Sequence, residues 1–330
     1  MTALLDASTV GAFLVERGLA GDAADVRARP LAGGVSNVVL AVEAGGLRAV
    51  VKQALPRLRV ADEWLATQER ALTEAEALRL AAELTPGAVP AVLDVDESAY
   101  AIVIATAPEG WANWKDELLA GRADPGVAGR LGTILAAWHA GTAGSSRAWR
   151  LADTEAFEQL RVDPYHRTVM DRRPELAPAI EEVVEQMLAT TSCLVHGDYS
   201  PKNVLVGAEG LWVVDFEVAH VGDPAFDLGF MLNHLLLKSI HRPDGAPRYY
   251  DCARSFLTAY ADAVPGELLP PLHYVLAHAG CLALARVDGK SPAEYLTLEE
   301  REIARRVGED LLTSPPASLE LVWYAMAGEL

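Results

Sequence analysis

Residues 194–217 read LVHGDYSPKNVLVGAEGLWVVDFE, and the order of apolar, polar and turn-forming residues in this stretch decides how the rest of the chain is read. Leu194 and Val195 make a short apolar approach, and His196 to Asn203 form a polar loop broken by Gly197 and Pro201. Val204 to Val206 begin a strand, and a second strand, Leu211 to Val214, follows a turn flanked by glycine and ends at Asp215. Two short strands joined tightly bring Asp198, Asn203 and Asp215 toward one end of a hairpin. That convergence predicts a site.

These side chains, in this order, suit phosphoryl transfer, which needs an oriented hydroxyl nucleophile, magnesium across the phosphates and a cationic anchor for the nucleotide. Asp198 is the candidate proton acceptor, and Asn203 and Asp215 offer the hard oxygen donors that magnesium prefers. Lys52, ending a strand-like run, would neutralise the inner phosphates, with Glu74 holding it from a long helix. Arg70, four residues earlier on that helix, is an alternative partner for Glu74. In the turn AGGVSNVV, Gly33 and Gly34 let backbone N–H groups approach a phosphate and Ser36 adds a hydroxyl donor. The same residues also read as a plain hairpin turn. A GxxxxGK[ST] loop is absent, which argues against the common nucleotide-hydrolase architecture.

Hydrophobic patterning divides the chain. A short helix over 8–19 is followed by strands at Val26 to Pro30, Val38 to Val42 and Leu47 to Gln53, then a helix over 67–84 that stops at Pro86-Gly87. Two more strands are expected at Ala91 to Val95 and Ala99 to Ala105. Beyond Pro108 the pattern is helical, over about 127–142, 176–190, 222–239, 248–262, 268–285 and 298–312, interrupted by the hairpin. The expected fold is α+β and two-lobed: 1–108 a small antiparallel sheet lobe with one long helix, 109–330 a larger, mostly helical catalytic lobe.

The charge of −18 over 330 residues excludes nonspecific binding to nucleic acid or anionic membranes, which needs clustered Lys and Arg. Cys193, Cys252 and Cys281 fit neither a disulfide framework nor a zinc spacing. With no signal-like start and no apolar run of membrane-spanning length, a cytoplasmic protein is expected.

HGDYSPKN, then VVDFE, then GDPAFDL resemble the aminoglycoside phosphotransferase and choline kinase superfamily, whose fold is similar to that of protein kinases. The resemblance runs from the turn at Gly33 through Asp227. It implies Asp198 as catalytic aspartate, Asn203 and Asp215 as magnesium ligands, Lys52 as phosphate lysine and Glu74 as its partner. VVKQALPRLRV, Trp64 and ERALTEAEAL further resemble the N-terminal lobe of methylthioribose kinases, which also carry a D-x-E pair like Asp215 and Glu217. The SPKN tail of the loop is closer to general small-molecule kinases.

The expected activity is ATP- and magnesium-dependent transfer of a phosphoryl group to a hydroxyl of a sugar-like or amino-sugar metabolite. An aminoglycoside is the second acceptor class, and a catalytically silent nucleotide-binding module the reading from a different class. Glu217 is open between a second metal, substrate and pairing with an arginine. His196 is expected to orient the loop, Asp223 to cap a helix, Asp227 to brace the loop, and buried His139 to bond a backbone carbonyl. Trp111 and Trp114 read as interlobe packing or as a ligand cover. Acceptor contacts are sought in 157–167, with Arg161 and His166, and in 286–295, with Arg286 and Asp288; both stretches also read as solvated helix ends or loops. Carboxylates around the acceptor would favour the antibiotic, whereas arginines there would favour a less cationic sugar or an acidic metabolite.

Overall fold

In the computed structural model, which describes residues 3–31, 35–59 and 64–328, the first element is α1 (Val10–Glu16). Strands β1 (Arg27–Pro30), β2 (Asn37–Ala44), β3 (Leu47–Ala54), β4 (Val92–Asp96) and β5 (Ala101–Ala105) form one antiparallel sheet in the order β1-β2-β3-β5-β4. Gly45 and Gly46 join β2 to β3 with φ of 53° and 96°, which side-chain-bearing residues rarely adopt. Alternation along β3 then sorts its side chains. Val51 enters a small core with Val38, Leu40, Val42 and the α1 residues Val10, Phe13 and Leu14. Val50 and Lys52 face the opposite way, toward the cleft. Gly33 and Gly34 of the expected phosphate turn lie outside the described residues.

The helix α2 (Arg70–Leu84) crosses the cleft side of the sheet and buries Arg70, Glu74, Ala75, Leu78 and Ala81. Its alanines and leucines join a second core that runs unbroken into the helical lobe. That lobe begins with β6 (Ala112–Asn113), α3 (Trp114–Leu119) and α4 (Pro125–Thr142), and continues with α5 (Glu155–Phe157), a π-helical stretch Glu158–Arg167 containing Pro164, α6 (Thr168–Arg172) and α7 (Ala177–Ala189). Next come β7 (Cys193–Val195), the hairpin β8 (Val204–Gly207) and β9 (Gly210–Val213), and β10 (His220–Gly222). The chain ends with α8 (Pro224–His241), α9 (Ala246–Ala263), α10 (Leu272–Asp288), α11 (Leu298–Thr313) and α12 (Leu319–Ala327).

Two pairings were absent from the hydrophobic pattern. β6 adds to the hairpin in the order β6-β8-β9, and β7 pairs with β10. These two small sheets clamp the polar loop from both ends. Several helices start where a polar side chain caps them: Asp124 accepts from Gly126 N at 2.8 Å, Asp223 from Ala225 N at 2.9 Å, and Thr297 and Glu300 form a reciprocal pair.

The segment Gly266–Asp288 has a mean hydropathy of 1.4 and the length of a membrane span, contrary to the expectation that no run was long enough. Within the fold it is a core element, 67% buried. Glycines let it approach its neighbours: a Cβ on Gly280 would stand 2.7 Å from the Gly308 carbonyl, and one on Gly229 would stand 2.6 Å from His278 Cβ. All three cysteines are free and buried.

The tightest such approach is between α4 and α9, where a Cβ on Gly132 would lie 2.2 Å from the Phe256 carbonyl oxygen. Alanine is the better helix former by about 1 kcal/mol, but the obstacle is backbone, which cannot rotate aside. Gly132→Ala should therefore destabilise the protein by about 1–3 kcal/mol in chemical denaturation. A stabilised variant would contradict this packing.

Candidate active site

The loop 196–203 is held by one buried carboxylate. Asp227, at the start of α8 and fully buried, accepts from His196 N at 2.7 Å and Gly197 N at 2.9 Å. Gly197 has a φ of 75°, and a Cβ there would stand 2.8 Å from the Val218 carbonyl oxygen, so conformation and space both require glycine. Asp227 thus braces the loop, as expected. His196 is also a loop organiser: its Nδ1 accepts from Asp198 N at 3.1 Å, which leaves Nε2–H to donate to the Val214 carbonyl at 3.2 Å. Burial holds this imidazole below its ordinary pKa, so it stays neutral.

The two halves of the motif are stitched together. Val214 N donates to the Asn203 carbonyl at 2.9 Å, and Asn203 Nδ2 donates to the Asp198 carbonyl at 3.0 Å. Directly after this stitch Asp215 adopts φ 73°, an uncommon conformation for a residue other than glycine. There its Oδ1 lies 2.7 Å from Lys52 Nζ, whose other partner is Glu74 Oε1 at 2.6 Å. Lys52, Glu74 and Asp215 therefore meet from β3, α2 and the end of the hairpin. Burial works against ionisation at both ends of the Lys52–Asp215 pair, but the opposite charges prevail: Lys52 is raised above the ordinary lysine range and Asp215 is held below the carboxylate range.

Arg70 does not neutralise Glu74, which corrects the alternative read from their spacing. Its guanidinium turns to the strand ends, where Nη2 donates to the Ser36 and Leu55 carbonyls at 2.5 and 2.9 Å, and Nε donates to Glu217 at 3.1 Å. Glu217 also accepts from Ser36 Oγ at 2.7 Å and Asn37 Nδ2 at 2.8 Å. Glu217 thus pairs with an arginine, one of the roles left open for it, while lining the cleft, and the contact joins the two lobes. The Ser36 hydroxyl lines the cleft but is spent on this carboxylate.

Asp198 is only 1% exposed. Its Oδ2 makes ion pairs with Arg161 at 2.7 Å and Lys202 at 2.8 Å, while Ser200 Oγ is 3.4 Å from Oδ1. Burial alone would raise its pKa; Arg161 and then Lys202 overcome that and hold it below the ordinary aspartate value. Arg161 reaches this position from the π-helical stretch, donating as well to the Gly197 carbonyl at 2.9 Å. Lys202 was not singled out from sequence, although its spacing of four from Asp198 was visible.

A cleft of about 730 Å³ lies between the lobes. Val39, Val50, Ile104, Ala105, Leu205 and Trp212 give it an apolar end, and Lys52, Asn203 and Asp215 line its middle. Arg161, Lys202, Lys115 and Lys290 line the rest, with Tyr165 and Ser291. Several expected acceptor residues do not line it. His166 is buried away from the cleft, and desolvation pushes it to about 4. Asp288 is engaged by Arg305 at 2.8 and 2.9 Å, and Arg286 stands behind Ser291, donating to its hydroxyl at 2.7 Å. The 286–295 stretch thus reaches the cleft through Lys290 and Ser291 instead. Trp114 is core, and Trp111 packs edge-on against Trp212 at 5.5 Å over the hairpin. His139 bonds the Tyr260 hydroxyl at 2.9 Å, not a backbone carbonyl.

The family model described as phosphotransferase enzyme family matches residues 27–263, from β1 through α9. The chain belongs to that family. Among relatives of this phosphotransferase-family chain, a protein of Pectobacterium atrosepticum named methylthioribose kinase is 30% identical over 242 residues, covering 64% of this chain and 60% of that protein. Another of the same name, from Geobacillus kaustophilus, is 26% identical and covers 89% of this chain and 88% of its own length. The chain therefore spans only 60% of the length of the first relative. A crystal structure of a choline/ethanolamine kinase family protein from Mesorhizobium loti superposes with a TM-score of 0.53 at 18% identity, covering 92% of each chain. That likeness establishes the kinase-like two-lobed fold.

The depressed carboxylates set a pH signature. An aspartate whose pKa is lowered by folding stabilises the folded state fully above its unfolded value, and that contribution is lost as pH falls through the folded value. For Asp198 the unfolded value is near the reference 3.8. The stability difference between wild type and Asp198→Asn should hold constant from neutrality to about pH 4 and change only below it, by denaturation at a series of pH values. A difference that changes between pH 5 and 7 would contradict the ion pairs.

Proposed function

We propose that this chain is an ATP-dependent kinase that phosphorylates a hydroxyl of a small, sugar-like molecule. The observation that carries the reading is Lys52 held between Glu74 and Asp215 in the same cleft as Asn203, with Asp198 beneath its floor. A lysine fixed by one buried carboxylate and one cleft carboxylate keeps its charge where phosphates would lie. The apolar end, between Val39 and Ile104 on one side and Leu205 and Trp212 on the other, suits an adenine ring.

The residues present fit magnesium. Asn203 and Asp215 both line the cleft; the Asn203 amide nitrogen is spent on the Asp198 carbonyl, leaving its side-chain oxygen as donor, and Asp215 offers the oxygen not facing Lys52. Magnesium held there would supply Lewis-acid neutralisation of phosphate oxygens. Asp198 orients the acceptor hydroxyl and accepts its proton through Oδ1, the oxygen free of ion pairs. With its pKa held low it is a weak base, which suffices when the transition state is loose and positioning dominates. Lys202, whose side chain is 49% exposed, pairs with Oδ2 and lines the cleft, where its charge faces the transferred group.

The relatives named methylthioribose kinase support a sugar-like acceptor over other hydroxyl classes. The cations at the acceptor end weigh against an aminoglycoside, which would need carboxylates there.

The test is magnesium-ATP consumption against a panel of sugars, hydroxy acids, amino alcohols and aminoglycosides. Asp198→Asn should lose about two to four decades of turnover while ATP affinity stays within a few-fold. Asp215→Asn should weaken the magnesium-dependent part of ATP binding. Near-normal turnover in Asp198→Asn would remove it from the mechanism, and nucleotide-induced stabilisation with no transfer to any acceptor or to water would favour a silent binding module.

A further inference from the structure

Lysine is rare in this chain and concentrated in space. The sequence holds five lysines, Lys52, Lys115, Lys202, Lys238 and Lys290, on a protein of net charge −18. Four of them line the one cleft, although they come from β3, α3, the loop before β8 and the segment after α10. Lys52 is spent on the nucleotide side, and Lys202, with Arg161, on Asp198. That leaves Lys115 and Lys290 flanking the acceptor end, without a task in phosphoryl transfer.

The wall behind them is cationic too. Arg286 donates to Ser291, itself a cleft residue, while its Nε is buried with no hydrogen-bond partner among the described residues. Lys238 is 1% exposed, its ammonium 3.4 Å from the His234 carbonyl and 5.4 Å from the centre of the Tyr295 ring, with no carboxylate in contact among the described residues. Burial, and then the charges of Lys238, Arg286, Lys202 and Lys115, hold the imidazole of His234 well below its ordinary pKa. Against them stand few anions: Glu294, from an exposed position, pairs with Lys115 and comes within 3.9 Å of Arg286 Nη2, and Asp116 is an exposed carboxylate at the rim. Lys290 is exposed and makes no ion pair among the described residues.

Cations gathered on an acidic protein create a local field opposite to the global one, and buried donors left unpaired are costly unless a ligand completes them. We propose that the acceptor end of the cleft is an anion site, and that the physiological acceptor carries a carboxylate or phosphate in addition to its hydroxyl. The anionic group is held by Lys290 and Lys115, with the Arg286–Ser291 pair behind them. This rests on the kinase reading for the role of the hydroxyl, but the anion site itself does not depend on it. A neutral polyol leaves Lys290 without a counter-charge among the described residues and Lys115 and Arg286 sharing the single carboxylate of Glu294, and a cationic acceptor is repelled by the excess of cations.

The test is calorimetric titration of the full chain, with and without a non-hydrolysable ATP analogue and magnesium, using matched probes: glycerate against glycerol, ribose 5-phosphate against ribose, and choline as the cation. The anionic member of at least one pair should bind at least about tenfold more tightly than its neutral partner, as expected for a charge-assisted contact. Whichever pair shows the preference distinguishes carboxylate from phosphate. Lys290→Glu should cut that preference by about tenfold and Lys290→Arg should retain it. Equal or tighter binding of the neutral or cationic probes, no binding by any probe, or a preference indifferent to Lys290→Glu would overturn the proposal. Anion preference with neither nucleotide binding nor phosphate transfer would instead sink the kinase reading and leave the anion site standing.

Discussion

The structure depends on one charge, the ammonium of Lys52, held where three separately folded parts of the chain converge. β3 delivers it from the sheet, Glu74 meets it from α2, and Asp215 meets it from the hairpin of the helical lobe. A buried lysine costs several kcal/mol to desolvate, and that cost is offset only if both carboxylates stay in place. The relative position of the lobes is thereby tied to an ion cluster rather than to apolar packing alone. A parallel tie, Glu217 to Ser36, Asn37 and Arg70, fixes the same two lobes one turn of chain further on. Together these contacts make the width of the cleft a property of charge pairing, which nucleotide phosphates are well suited to alter.

Beneath the cleft the same logic operates on a finer scale. Asp227 satisfies two backbone N–H groups of the loop, His196 bridges the loop to Val214, and Asn203 bridges it to Asp198, so the loop is braced before any ligand arrives. The site is preorganised by hydrogen bonds made within the helical lobe. The sheet lobe contributes the cation and the apolar roof. Preorganisation of this kind fits chemistry in which positioning and charge neutralisation outweigh basicity.

Much of this was legible in the sequence, and the parts that were not share a cause. The helices α7, α9 and α11 follow the hydrophobic period because each buries one face, whereas α2, α4, α8 and α10 were legible from helix-forming or apolar composition bounded by turn residues. The polar loop and its hairpin were legible because local turn chemistry specifies them, and the Lys52–Glu74 pair because phosphoryl transfer needs an anchored cation and the resemblance to small-molecule kinases implies that partner. The pairings of β6 with β8 and of β7 with β10 were not, since strands of two or three residues carry no periodic signal. Arg161 was placed in the right neighbourhood without its partner, because a π-helical stretch through Pro164 redirects side chains that an α-helical count would send elsewhere. Arg70 and Glu74 look like partners by spacing, but tertiary acceptors at Ser36, Leu55 and Glu217 outcompete a neighbour already committed to Lys52. His166 and Asp288 were chosen for residue type alone, and burial or competing arginines removed them. The convergence of the lysines is invisible along the chain because it is assembled by four distant segments.

The most direct measurement of the central claim is a crystal structure with magnesium and a non-hydrolysable ATP analogue. The account predicts phosphate oxygens within hydrogen-bond distance of Lys52 Nζ, the metal ligated by Asn203 and Asp215, and the base between Ile104 and Leu205. Nucleotide bound elsewhere, or bound here with its phosphates away from Lys52 and Asp215, would contradict it.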